Sequence, residues 1–152
     1  MPDISQPVLV IDDFATMTRI MKGIVSQLGF ADVDTCQSGE AALAQIKLRG
    51  YGLILCDLEM ESMSGAEFAV RARAHPYLVR CPIVLTTASR EGAAQCVRDG
   101  IHDVADGFIL KPFKAEDLQT KLSEIDNRRR ARKQKLEQEP LLSRTKEAAV
   151  SA

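Results

Sequence analysis

The chain has 152 residues, 45% of them hydrophobic and 5% aromatic, with a formal net charge of −1. That length fits one domain with at most a short appendage, and the apolar share can build one core without disulfide or metal staples. No apolar run is long enough for a membrane helix, so no transmembrane segment is expected.

The near-zero charge hides an asymmetry. Residues 1–127 carry twelve basic and eighteen acidic side chains, whereas residues 128–152 carry eight and three. The folded part is therefore acidic and the C-terminal part basic. Cys36, Cys56, Cys81 and Cys96 lie far apart, without the close spacing that zinc or redox motifs need, and read as reduced core thiols. The first residues, MPDISQPVLVIDDF, lack a basic region followed by a long apolar segment, so no secretory signal is expected and a cytoplasmic location is.

In chain order, residues 7–11 form a continuous apolar run that ends in Asp12-Asp13. Phe14, Met17, Ile20, Met21, Ile24, Val25 and Leu28 follow at helical spacing, and Gly29 closes that helix. Residues 31–36 alternate as a half-buried strand would, with Val33 and Thr35 opposed to Asp32 and Asp34. Ser38 is positioned to cap a helix over 40–49, and Gly50 ends it. Leu53-Ile54-Leu55-Cys56 reads as a buried central strand that stops at Asp57. Ser64-Gly65 opens a helix running to about His75, where Pro76 stops it.

Residues 81–87 form the fourth strand and 91–99 a short alanine-rich helix. A polar connection over 101–106 leads to a last strand, 107–111, closed by Pro112. Leu118, Leu122 and Ile125 mark a final helix with a polar continuation over 127–138. Five strands alternating with five helices predict an α/β domain of (βα)5 type, with a doubly wound parallel sheet covered on both faces.

Four of the five strand ends carry reactive side chains: Asp12 and Asp13, Asp57, Thr86 and Thr87, and Lys111. Each alone has a plain reading, Asp57, Asp13 and Thr87 as turn or helix caps and Lys111 as a solvated edge charge. In a parallel sheet, however, all these ends share one edge, where ligands bind in open α/β folds. Clustered carboxylates need a counter-charge, and Mg²⁺ suits oxygen ligands. A lysine and a hydroxyl beside it could hold phosphoryl oxygens, and a carboxylate can itself be the nucleophile. There is no GxxxxGK[ST] loop for a nucleotide donor.

With these motifs the chain resembles the receiver domain of two-component response regulators, of the CheY-like, single-domain chemotaxis type. The stretches that carry the resemblance are DDFATMTRI (12–20), LGF (28–30), SGEAAL (38–43), GY (50–51), DLEMESMSG (57–65), LTTA (85–88) and KPF (111–113). The resemblance implies a flavodoxin-like fold and makes Asp57 the acceptor of a phosphoryl group from a histidine kinase or histidine phosphotransfer protein. It implies Mg²⁺ held by Asp12, Asp13, Asp57 and the backbone carbonyl of Glu59. Thr87, which directly precedes Ala88, would bond a phosphoryl oxygen, Lys111 would pair with the phosphate next to a cis peptide at Pro112, and Phe108 would be the aromatic switch. Glu59 and Ser89 occupy positions that tune phosphoryl lifetime. Glu61 stands where a proline is usual, and the stretch GIHDVADGF is longer than the usual connection.

The function this implies is a phospho-dependent switch. Its output face comprises the fourth helix, fifth strand and fifth helix, and its protein target belongs to chemotaxis or motility, a flagellar motor component being one candidate. A phosphoryl shuttle or sink serving a histidine phosphotransfer protein is the alternative. A phosphatase-like enzyme is disfavoured, since no second acid stands out as a general acid. The division expected is a receiver domain over 1–126 and a basic extension over 127–152, helical and then disordered. The run Arg128 to Lys135 is a candidate dock for an acidic protein or an anionic ligand such as a nucleotide.

Overall fold

The computed structural model of the protein describes residues 2–138; Met1 and residues 139–152, including the stretch expected to be disordered, lie outside the described residues. The uninterrupted apolar runs become strands: β1 (Val8–Ile11), β3 (Leu53–Asp57), β4 (Ile83–Thr87) and β5 (Gly107–Leu110), with β2 (Val33–Cys36) as the polar exception. Every residue of β1, β3 and β4 is buried, as expected for strands covered on both faces. Between them lie α1 (Ala15–Gln27), α2 (Gly39–Leu48), α3 (Gly65–Arg73) and α4 (Arg90–Arg98), and α5 (Ala115–Gln138) follows the last strand.

All neighbours in the sheet are parallel, in the order β2-β1-β3-β4-β5. Alternation along each strand divides the core in two. Leu9, Ile11, Ile54, Cys56, Ile83 and Leu85 pack with Ile46 of α2 and Phe68 of α3 on one side. Val8, Val10, Leu53, Leu55 and Val84 pack with Met21 and Val25 of α1 and Leu118 and Leu122 of α5 on the other. From β1 the chain steps outward to β2, then back across β1 to β3. The loops after β1 and β3 therefore part, leaving a crevice at the sheet's C-terminal edge between Asp12 and Asp57.

Serines cap three of the helices. The hydroxyls of Ser38, Ser64 and Ser89 accept from the backbone N–H groups of Ala41 (3.0 Å), Glu67 (3.1 Å) and Gly92 (2.9 Å). Gly29, at φ 103°, ends α1 in a conformation that side-chain-bearing residues rarely adopt. The four cysteines are free thiols, three of them buried.

Several boundaries differ from expectation. The third helix stops at Arg73 rather than His75, because Pro76 starts a 3₁₀ turn (Pro76–Leu78) that buries Leu78. A second 3₁₀ turn, Ile101–Asp103, occupies the polar connection. Phe14 and Ile20 fit the helical period yet are exposed at 69% and 50%: Phe14 precedes α1, and Ile20 faces solvent beside Met21. In β2, Val33 packs against the core, and Asp32 just before it is exposed, as expected, but the next pair is exchanged. Thr35 is exposed and Asp34 half-buried, because Asp34 accepts hydrogen bonds from Arg49 (3.0 Å) and the Tyr51 hydroxyl (2.6 Å).

The basic extension was expected to run on as a solvated helix. It is helical to Gln138 as a continuation of α5, but side chains of its first turn bind the domain. Arg129 forms an ion pair with Asp106 (2.6 Å) and donates to the Arg80 carbonyl (2.7 Å), while Arg128 donates to the Asp106 carbonyl (2.6 Å). The Asp106 carboxylate also binds Arg73 (2.7 Å) and the Ile83 N–H (2.9 Å). This residue, just before β5, thus ties α3, β4 and α5 together.

Candidate functional site

Three carboxylates meet where the topology opens the crevice. Asp57, at the end of β3, and Asp12, just after β1, are buried at 3% and 0% exposure, with Asp13 half-buried beside them. Carboxylate oxygens of all three lie within 4.8 Å of one another. Lys111, one residue past β5, reaches in to Asp57 Oδ1 (3.0 Å) and Asp12 Oδ2 (3.4 Å). The second Asp12 oxygen accepts from the Phe14 N–H (3.0 Å), which fixes the start of the loop into α1. The peptide from Lys111 to Pro112 is cis.

One ammonium cannot neutralise three acids. Asp13 is not the helix cap that its position allows; α1 has Phe14 at its cap without a side-chain bond, and the buried Asp13 Oδ1 has no hydrogen-bond partner among the described residues. A buried, unpartnered carboxylate oxygen among close acids is costly alone and suits a hard divalent cation that prefers oxygen and keeps waters. The donor set therefore fits Mg²⁺.

Burial raises the Asp57 carboxyl to about 6, helped by Asp12 and Glu59 and opposed by Lys111. At neutral pH the group is still ionised, hence a nucleophile. Burial alone would lower Lys111, but its bonds to Asp57 and Asp12 outweigh this and hold the ammonium above its ordinary value. Lys111 is accordingly a fixed positive charge, not a solvated edge residue.

On the other flank, Thr86 and Thr87 close β4. Thr86 lies opposite Asp57 in the sheet, its hydroxyl buried and unpartnered among the described residues. The Thr87 hydroxyl donates to Glu59 Oε1 and accepts from the Ser89 N–H (3.0 Å). Sequence reasoning placed Glu59 near the metal through its backbone; its side-chain bond to Thr87 had no sequence signal. The Ser89 hydroxyl is engaged as the α4 cap. Phe108 lies on β5 opposite Leu85 and lines a cavity of about 580 Å³ with Val97 of α4 and Lys121 of α5. The expected switch residue thus lies on the α4–β5–α5 face.

The backbone behind Asp57 is held by a close approach. A Cβ added at Gly65 would lie 2.4 Å from the Asp57 carbonyl oxygen and 3.0 Å from Leu58 Cα, and the Gly65 N–H donates to the Leu58 carbonyl (2.9 Å). Gly65→Ala is therefore expected to displace the end of β3 and to cost about 1–3 kcal/mol in stability, as overpacking does. Denaturant unfolding checks this, and a cost below about 0.5 kcal/mol, typical of surface changes, would contradict it.

Comparison with known proteins agrees with this geometry. The family described as response regulator receiver domain matches residues 8–123. Chemotaxis protein CheY-3 of Vibrio cholerae is 32% identical over 123 residues, covering 80% of this chain and 92% of its own. Chemotaxis protein CheY of Pseudomonas aeruginosa is 29% identical over 123 residues, covering 80% of this chain and 96% of its own. The solved chemotaxis response regulator CheY4 of Vibrio cholerae superposes with a TM-score of 0.69 at 25% identity, covering 80% of this chain and 98% of its own. A response regulator of Thermotoga maritima, solved in complex with Mg²⁺ and BeF, gives 0.68 at 28% identity, covering 79% and 98%. With its parallel five-stranded fold, acidic crevice and family match across most of its length, the chain belongs to the response regulator receiver family and is CheY-like.

Proposed function

We propose that the protein is a phosphorylation-driven switch in which Asp57 accepts a phosphoryl group from a phosphohistidine on a kinase or phosphotransfer protein. The observation that carries this is a buried carboxylate at the sheet's C-terminal edge, facing a fixed lysine and two further acids. A carboxylate oxygen of Asp57 attacks phosphorus, the phosphorus–nitrogen bond breaks, and its electron pair stays on the imidazole, which takes up a proton. The product is an acyl phosphate on Asp57.

Asp12, Asp13, Asp57 and the Glu59 backbone carbonyl would hold Mg²⁺, which when bound supplies positive charge to the phosphoryl oxygens. Lys111 exchanges its bond to Asp57 Oδ1 for one to the phosphate. Thr87 turns its hydroxyl toward a phosphoryl oxygen, and Phe108 follows into the space beside it. That movement reshapes the α4–β5–α5 face, which binds a protein partner. The names of the relatives favour an output in chemotaxis, and the partner proposed is a motility component such as one of the flagellar motor, with the protein acting in the cytoplasm. The protein performs no turnover beyond its own phosphorylation and dephosphorylation.

Incubation with acetyl phosphate, a small acyl phosphate donor, tests the first step by intact mass. One phosphoryl group is expected with Mg²⁺ and none in EDTA. No incorporation, or incorporation indifferent to EDTA, would contradict the reading.

The receiver domain proper is residues 1–126, and the basic extension is a second, electrostatic contact surface. What favours this is that Arg132 and Lys133 line one cleft with Arg80, without an ion pair among the described residues. Reversing both charges (Arg132→Glu with Lys133→Glu) leaves the Asp106 contacts intact. It is expected to weaken binding to an acidic partner and flatten the salt dependence. Unchanged affinity at low and high salt would exclude the extension from binding.

A further inference from the structure

The hydroxyl of Thr87 is fully engaged in this structure. Its one hydrogen is shared between Glu59 Oε1, the nearer acceptor, and the Ser89 carbonyl at 3.4 Å, and its oxygen accepts from the Ser89 N–H at 3.0 Å. A phosphoryl group on Asp57 needs that same hydrogen, so the two acceptors exclude each other. Glu59 also abuts a third element: a Cβ added at Gly92, in the first turn of α4, would lie 3.2 Å from the same Oε1. The carboxylate therefore sits where the end of β4, the loop after β3 and the start of α4 meet. Glu59 is solvent-exposed while Thr87 is fully buried, so Glu59 can leave for water, whereas Thr87 keeps only the longer contact to the Ser89 carbonyl (3.4 Å) until a better acceptor reaches it.

We infer that Glu59 is a latch: its carboxylate holds the Thr87 hydroxyl, and through the Ser89 N–H bonded to that hydroxyl the cap of α4, in the resting arrangement, and phosphorylation of Asp57 releases both. This rests on Asp57 being the phospho-acceptor and adds what opposes the switch. A dianionic phosphoryl group does two things at once. It takes over the Thr87 hydrogen, and it repels the Glu59 carboxylate toward solvent. The freed first turn of α4 then carries the change to the output face. Glu59 is a positioning residue here, acting through Thr87 rather than on the phosphoryl group.

The test is a titration of the full chain with beryllium fluoride in excess Mg²⁺, followed by amide NMR at Thr87 and Gly92. Removing a charge-assisted hydrogen bond to the resting form is expected to tighten binding in Glu59→Ala by about three- to tenfold. Glu59→Gln, which keeps an acceptor but not the charge, should fall between the two. Without ligand, the Gly92 resonance of Glu59→Ala should already lie part of the way toward its saturated position. Glu61→Ala removes a similarly exposed acid that has no bond to Thr87, and should bind like the parent. Equal affinity in Glu59→Ala and the parent would overturn the latch, as would equal tightening in Glu61→Ala, which would indicate net charge alone. If the parent shows no saturable binding that Asp57→Asn abolishes, the phospho-acceptor reading itself fails, and the latch with it.

Discussion

Replacing Asp57 by asparagine is expected to abolish phosphoryl incorporation while making the metal-free protein more stable above pH 6. The first effect follows from chemistry, since an amide cannot form the acyl phosphate. The second follows from burial, which raises the carboxyl from 3.8 to about 6. The folded state thus holds the Asp57 proton more tightly than the unfolded chain does. Its contribution to stability is fully present below the unfolded value of 3.8 and is lost as pH rises through the folded value of about 6. At about 1.4 kcal/mol per pH unit, that interval corresponds to a cost of up to roughly 3 kcal/mol for ionised Asp57. Thermal unfolding in EDTA should show Asp57→Asn above the parent at pH 7 and the gap closing toward pH 4. Added Mg²⁺ should stabilise the parent more than the variant. A variant less stable than the parent at pH 7 in EDTA would contradict the strained-carboxylate picture.

The largest purely structural effect is expected from Asp106→Ala. Its carboxylate is 16% exposed and serves Arg73, Arg129 and the Ile83 N–H together. Removing it leaves an equally buried Arg73 guanidinium without its ion pair, while the bonds of Arg73 to the Val104 and Cys81 carbonyls (2.7 and 2.6 Å) still hold it inside. Breaking a buried pair from one side costs about 3–5 kcal/mol, and partial exposure places this case at the lower end. For a chain of this size that corresponds to a fall in Tm of roughly 6–12 °C. Arg73→Met added to Asp106→Ala should recover part of the loss, because no charge is then left stranded. A fall of less than about 2 °C, within the range of ordinary surface changes, would show that the cluster is well solvated.

Much of the fold was legible because buried parallel strands announce themselves. Runs such as Leu53 to Cys56 need no alternation when both faces are covered, and each stopped at a polar residue that proved to lie on one edge. The site was legible for the same reason: Asp12, Asp57 and Lys111 are polar residues where the apolar runs end. What could not be read was anything set by contacts distant in sequence. Asp106 was one acid in a polar connection, and nothing local pairs it with Arg73, 33 residues away. The run Arg128 to Lys135 read as uniformly solvated, yet Arg129 turns inward to pair with Asp106, just before β5. In β2, alternation alone put Thr35 inside; the ion pair with Arg49 decided for Asp34 instead. The Glu59–Thr87 bond joins the loop after β3 to the end of β4 and leaves no mark in either segment.

The phospho-acceptor assignment is tested most directly by trapping the product. After incubation with acetyl phosphate and Mg²⁺, borohydride reduces an acyl phosphate to the corresponding alcohol, converting a phosphorylated aspartate to homoserine. Peptide sequencing by mass spectrometry should find homoserine at position 57, dependent on Mg²⁺. Homoserine at position 12 or 13, or phosphate recovered on a histidine or hydroxyl side chain instead, would contradict it.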